Sequence, residues 1–138
     1  MRIGIEFSGR KRKRMTSKLI VLDRDGLLIN NSSDINSPFY YILQKDYVVI
    51  KDGVYQAMAY LQSLGVPVVM ASKQRCIKKG LISRADVDSI NSMLEEMLNF
   101  KFDQIYIEEA DSLKTELFGQ ILNDYKLNPE DVLVIDDS

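Results

Sequence analysis

Val21-Leu22-Asp23-Arg24-Asp25-Gly26 closes an apolar run, Leu19-Ile20-Val21-Leu22, with two carboxylates one residue apart and a glycine. The run is rich in β-branched residues, bounded sharply, and too short for a helix, so it reads as a buried parallel strand over about 18–22. Such a strand delivers Asp23 and Asp25 to its carboxyl end, where open α/β sheets bind ligands. Two acids so close repel each other. A bound divalent cation relieves that, as does a split into one ionised and one protonated acid. Two ordinary turn residues after a strand are the alternative.

Working outward, apolar strands and helical stripes alternate. Val54, Ala57, Met58, Leu61 and Leu64 recur at helical spacing, and Gly65 supplies the stop. Val66-Pro67-Val68-Val69-Met70 is a second strand, with its proline near the start, where it is tolerated. Ser83 followed three residues later by Asp86 resembles a capping box, and the helix behind it carries Val87, Ile90, Leu94, Met97 and Leu98 on one face. Ile105-Tyr106-Ile107 is a third strand. Leu113, Leu117, Phe118, Ile121, Leu122 and Tyr125 form another helical stripe, and Val132-Leu133-Val134-Ile135 is a fourth strand ending in Asp136-Asp137-Ser138. Four alternations argue for a doubly wound α/β fold with a parallel sheet and helices on both faces. Residues 27–50 interrupt the rhythm. A polar stretch precedes Phe39-Tyr40-Tyr41-Ile42-Leu43 and Tyr47-Val48-Val49-Ile50, which suits a hairpin or a small flap over the sheet edge after the first strand.

The 138 residues suffice for one domain with a proper core. No apolar run is long enough to span a membrane, and the basic N-terminus has no hydrophobic signal core, which points to the cytoplasm. The single Cys76 excludes an internal disulfide and suits a reducing compartment. There is no histidine, which removes histidine general bases, histidine phosphoenzymes and the common histidine-containing zinc sites. The net charge of −2 hides an asymmetry: residues 1–14 sum to +5 and the remainder to −7. Arg10-Lys11-Arg12-Lys13-Arg14 offers a contact for an anionic surface, but no aromatic interleaving or recognition motif accompanies it, so nucleic acid is disfavoured. A flexible basic extension over 1–17 ahead of a domain over 18–138 accounts for it.

Chemistry collects just after the strands. Asp23 and Asp25 follow the first, Ser72, Lys73 and Gln74 the second, Asp136 and Asp137 the fourth, and Lys114 opens the helix after the third. Acids for a cation, with hydroxyl and ammonium donors for phosphoryl oxygens, suit a phosphate ester and a divalent metal. In this order the residues resemble the haloacid dehalogenase (HAD) superfamily of phosphatases. Asp23-Arg24-Asp25-Gly26 matches the first motif, Ser72 the second, Lys114 the third, and Asp136-Asp137 the acids of the fourth. Within that superfamily the chain is most similar to the histidinol-phosphate and heptose-bisphosphate phosphatase group, whose first motif also reads Leu-Asp-Arg-Asp-Gly.

The resemblance implies a HAD-like Rossmannoid fold and a Mg²⁺-dependent phosphomonoester hydrolase acting on a small, sugar-phosphate-like metabolite. Asp23 would be the nucleophile and Asp25 the acid and base. Ser72 and Lys114 would hold phosphate oxygens. The metal would lie among Asp23, Asp25, Asp136 and Asp137, with Asp137 aligned to the family's metal-binding acid and Asp136 in place of its usual glycine.

There are departures. Glu108-Glu109-Ala110-Asp111 replaces the group's Cys/His zinc loop, Leu113-Lys114 replaces an Arg-Lys pair, and Lys73 replaces an asparagine. The chain stops at Ser138, directly after the fourth motif, where the family continues with a helix and at least one strand. The fourth strand would then be a bare edge open to self-association. A truncated form and a naturally short protein are both open. The rival reading is a non-catalytic or degenerate HAD-like domain that binds phosphate ligands or a protein partner.

Overall fold

The computed structural model describes residues 17–110 and 114–137, apart from the side chains of Lys114 and Thr115. The basic run 10–14 and the positions Asp111 and Leu113 lie outside the described residues.

Four parallel strands form one sheet: β1 (Leu19–Leu22), β2 (Val68–Lys73), β3 (Ile105–Glu108) and β4 (Val132–Ile135), in the order β3-β2-β1-β4. In β1 every residue is buried, because helices lie on both faces. Ile20 and Leu22 point to one side, where they join Val54, Met58 and Leu61 of α1 (Val54–Ser63) and Val87, Ile90, Leu94 and Leu98 of α3 (Arg84–Leu98). Leu19 and Val21 point to the other side, where Val69 and Leu117 and Ile121 of α4 (Lys114–Tyr125) meet them. The α/β fold expected from the alternation is the one observed.

Local chemistry sets the helix ends. Ser83 Oγ accepts from the Asp86 backbone N–H at 3.0 Å and so caps α3. Gly65, at φ +68°, follows the last turn of α1 in the left-handed conformation that ends many helices. On α3 the buried stripe differs from the expected one. Met97 is exposed, and the buried polar Asn91 lies in the stripe instead. Positions 87, 91, 94 and 98 follow the helical repeat, whereas 97 sits a third of a turn away from 98.

The strand β2 runs later than expected, Val68–Lys73 rather than 66–70, since Ser72 and Lys73 continue the ladder against Ile107 and Glu108 of β3. A short helix, α2 (Arg75–Lys78), follows it directly. The flap over 27–50 contains no hairpin. Its apolar runs form single 3₁₀ turns at Pro38–Tyr40 and Lys45–Tyr47, and one antiparallel bridge pairs Ile29 with Ile50. Leu27, Leu28, Ile29, Ile42 and Val48 are buried in the core shared with α1 and α3, so the base of the flap is packed rather than projecting.

Among the described residues β4 pairs with β1 alone and forms a sheet edge. Val134, in register with the buried Val21, is 47% exposed on the α4 side. No helix of the described residues is long and apolar enough to cross a membrane.

Candidate active site

The sheet order places the switch in winding direction beside β1: β2 and β3 lie to one side of it and β4 to the other. The carboxyl ends of β1 and β4 are in register, Leu22 opposite Ile135, so Asp23 and Asp136 leave adjacent strands side by side. A cavity of about 450 Å³ opens there on the α4 face of the sheet. Asp23, Asp25, Asp136 and Lys73 form its polar end. Val21, Ala71, Leu117, Phe118, Ile121 and Val134 form its apolar wall.

The turn after β1 is tightly specified. The Asp23 backbone N–H donates to Ile135 O at 3.1 Å, and the Gly26 N–H to Ile29 O at 2.8 Å. Gly26 sits at φ +81°, where other residues are strained, and a Cβ there would collide with the Asp137 carboxylate. Lys51, at the end of the flap, donates from Nζ to Gly26 O at 2.9 Å.

Arg24, between the two acids, is wholly buried. Its backbone N–H donates to Asp23 Oδ1 at 2.8 Å. Its Nε and Nη2 donate to Oδ1 and Oδ2 of Asp25 at 2.9 and 3.2 Å, a bidentate charge-assisted pair. The third contact runs from Nη1 to Asn91 Oδ1 on α3, at 2.9 Å. The repulsion between Asp23 and Asp25, read from sequence as a demand for a cation or a shared proton, is thus offset in part by the residue between them.

Gln74 completes the surroundings of Asp25. Its buried Nε2 donates to Asp25 Oδ2 at 2.8 Å and to Ser72 Oγ at 2.7 Å. Its Oε1 accepts from Cys76 Sγ at 3.5 Å. Burial pushes the Cys76 thiol above its usual range, against the opposing pull of the Arg24 charge, which keeps the thiol protonated and able to donate.

Of the residues selected from sequence, Asp23, Asp25 and Asp136 share the cavity, and Asp137 packs on Gly26 beside it. Ser72 is not in the cavity wall. It is 1% exposed, on the α1/α3 side of β2, while Ala71 and Lys73 face the cavity. Lys114 opens α4, and its side chain lies outside the described residues. After β2, Lys73 lines the cavity, whereas Lys79 turns to the flap. Its Nζ lies 4.4 Å from the Phe39 ring centre and donates to Tyr41 Oη at 3.3 Å.

The sequence pattern assigns no role to Arg24, Asn91 or Lys51, and marks Gln74 only as a residue following the second strand. Arg24 and Gln74 flank motif residues and were visible there. Asn91 had no sequence signal beyond its place on the apolar stripe of α3.

The donors available to a metal are carboxylate oxygens, the set preferred by Mg²⁺ and Ca²⁺. Among the described residues no three His, Cys, Asp or Glu side chains gather closely enough to form a metal cage. Mg²⁺ does not need one, since it is commonly held by one or two carboxylates, waters and a substrate phosphate.

A family model for haloacid dehalogenase-like hydrolases matches residues 32–138. The chain belongs to that family. Asp23 and Asp25 lie ahead of the matched stretch. Two relatives are similar in sequence. The D-glycero-beta-D-manno-heptose-1,7-bisphosphate 7-phosphatase of Helicobacter pylori is 28% identical over 95 residues, covering 66% of this chain and 51% of its own length. The D-glycero-D-manno-heptose-1,7-bisphosphate 7-phosphatase of Chlorobaculum tepidum is 28% identical over 94 residues, covering 66% and 44%. The chain therefore spans about half the length of these curated relatives.

Two solved structures share the fold. The D,D-heptose 1,7-bisphosphate phosphatase of B. bronchiseptica, complexed with magnesium and phosphate, aligns with a TM-score of 0.68 at 23% identity over 80% of this chain and 64% of its own. The Burkholderia thailandensis D,D-heptose 1,7-bisphosphate phosphatase aligns at 0.61 and 23%, over 88% and 67%.

Proposed function

We propose that this chain is a Mg²⁺-dependent phosphomonoester hydrolase for a small phosphorylated metabolite of the sugar-phosphate kind, working through an aspartyl-phosphate on Asp23. The observation that carries this is the pair Asp23 and Asp25 at the carboxyl end of the central strand, both opening into one cavity beside Asp136 and Lys73. Membership of the hydrolase family supports it.

In this reading an oxygen of Asp23 attacks phosphorus while the bond to the leaving oxygen breaks. Asp25 gives that oxygen its proton. Asp25 then takes a proton from water, whose oxygen attacks the phosphorus of the aspartyl-phosphate, releasing phosphate and restoring Asp23. Asp23, Asp25, Asp136 and Asp137 are the residues that would hold Mg²⁺, which would supply positive charge to offset the repulsion between the two anions. Lys114 is the phosphate-oxygen donor of this scheme; Ser72, expected in the same role, is buried outside the cavity wall. Lys73, which lines the cavity, is a further cation suited to steering an anionic substrate into it.

The relatives that act on heptose bisphosphate support a sugar-phosphate class. The replaced zinc loop and the Leu113-Lys114 pair argue against carrying over that one substrate.

The second reading is a non-catalytic HAD-like domain that binds phosphate ligands or a partner. The burial of Ser72, whose hydroxyl oxygen accepts from Gln74 Nε2, favours it. A phosphate-release screen across aryl, alkyl and sugar phosphates with Mg²⁺ separates the two. Turnover that disappears with EDTA and with Asp23→Asn supports the hydrolase. Phosphate binding without release from any ester supports the binding domain.

A further inference from the structure

The buried group Arg24, Gln74 and Asn91 does more than fill space. A guanidinium with no solvent contact is costly unless fully paired. Here its pairing is concentrated on a single carboxylate, with both oxygens of Asp25 engaged at 2.9 and 3.2 Å. Gln74 adds a third bond to Oδ2 at 2.8 Å, on the side away from Arg24 Nε. The carboxylate of Asp25 is thereby fixed in position and in plane by three donors from two elements. Oδ1 carries one of these bonds and Oδ2 carries two, which leaves Oδ1 the less occupied oxygen.

Asn91 holds the other end. Its Oδ1 accepts from Arg24 Nη1, and among the described residues its buried Nδ2 has no hydrogen-bond partner. Turning the amide over would satisfy neither group, because it would set two donors face to face. The amide orientation is therefore dictated by the guanidinium, at the cost of an unpaired buried N–H. Arg24 also donates its backbone N–H to Asp23. One residue thus touches both acids, through its main chain and its side chain.

We propose that Arg24 is the positioning residue of this site: braced by Asn91 and assisted by Gln74, it fixes Asp25 relative to Asp23 so that proton transfer to the leaving oxygen is in line with attack. The proposal rests on the reading of Asp25 as the general acid. It assigns roles to three residues that the motifs leave without one.

The kinetic signature is a leaving-group effect. In a two-step mechanism kcat/KM reports only the steps through departure of the first product. Nitrophenolate leaves 4-nitrophenyl phosphate without needing a proton, whereas the alkoxide of glycerol phosphate needs one. With Mg²⁺ present, Asp25→Asn calibrates the loss of the acid, and its kcat/KM should fall further on glycerol phosphate than on 4-nitrophenyl phosphate. Arg24→Met should show the same bias, with the alkyl ester losing at least about tenfold more than the aryl ester. Arg24→Lys should recover little, since one ammonium cannot replace a bidentate fork. Asn91→Leu, which touches neither acid, should show the bias at a smaller size.

Equal losses on both esters for the Arg24 and Asn91 variants, beside a biased Asp25→Asn, would overturn the positioning role and leave the acid role standing. An unbiased Asp25→Asn would overturn the acid role, and the positioning role with it. A readout independent of turnover is the Arg24 Nε–H resonance. It should exchange slowly with solvent in the native protein and shift on Asp25→Asn. Rapid exchange would contradict the brace.

Discussion

The carboxylate of Asp137 occupies the space in which a side chain at position 26 would begin. Gly26, at φ +81°, has no Cβ, and an added one would run into Asp137 Oδ2. The turn after β1 and the end of β4 are therefore fitted to each other, and the glycine of the first motif makes room for an acid of the fourth. Gly26→Ala should cost about 1–2 kcal/mol from the left-handed backbone alone, with the collision added. It should also displace Asp137. Thermal denaturation with and without Mg²⁺ checks both: the variant should melt lower and show less of the Mg²⁺-induced rise than the native chain.

Metal dependence gives a second test. EDTA should remove phosphate release and Mg²⁺ should restore it. The carboxylate donors are hard, and the chain has one cysteine and no histidine, so elemental analysis should find no stoichiometric zinc. Zinc at one equivalent would contradict this account of the donors.

The α3 cap can be tested without touching the site. Ser83→Ala removes the hydroxyl that accepts from the Asp86 N–H and should cost about 1 kcal/mol. Urea unfolding should shift accordingly, while kcat/KM at temperatures where the variant is folded stays close to native.

Alkaline pH tests the seam between β3 and α4. Tyr106 donates to Asp124 at 2.9 Å, and Tyr125 donates to Asp103. Burial, followed by the bond to Asp124, raises Tyr106 from 10.0 to about 12, and Tyr125 is raised by the same kinds of cause. The fold thus favours the neutral phenols. Their contribution is fully present below pH 10.0, the ordinary tyrosine value; that of Tyr106 is lost as pH rises through about 12, and that of Tyr125 at higher pH. Stability should fall over that window, and Tyr106→Phe with Tyr125→Phe should flatten the fall. An unchanged slope in the double variant would remove these phenols from the cause.

Much of this architecture was legible in the chain. The buried strands read clearly because Leu19–Leu22 and Val132–Ile135 are uninterrupted apolar runs, and the helices because their stripes keep the helical repeat. The flap did not read clearly. Phe39 and Tyr40 adopt positive φ of 52° and 58°, which no propensity signals, and those apolar runs pack as irregular turns instead of pairing. The four-residue α2 has too few residues to show a period in the sequence. The convergence of Asp23, Asp25 and Asp136 followed from strand ends alone. The depth of Ser72 did not, because alternation along β2 turns it away from the cavity that Ala71 and Lys73 line. The link from Arg24 to Asn91 joins residues 67 apart in sequence and depends on packing between β1 and α3.

The central claim is a covalent phosphoenzyme on Asp23, and the most direct measurement is to trap it. Asp25→Asn should form the intermediate and hydrolyse it slowly, since the same residue serves both steps. Rapid mixing with an aryl phosphate and Mg²⁺, acid quench, reduction with tritiated borohydride and peptide mass spectrometry would locate the acyl phosphate, whose phosphate is expelled in the reduction. The account predicts near-stoichiometric tritium label in homoserine at position 23, absent from Asp23→Asn. Phosphate release by the native chain with no label at 23, or with label on another residue, would contradict it.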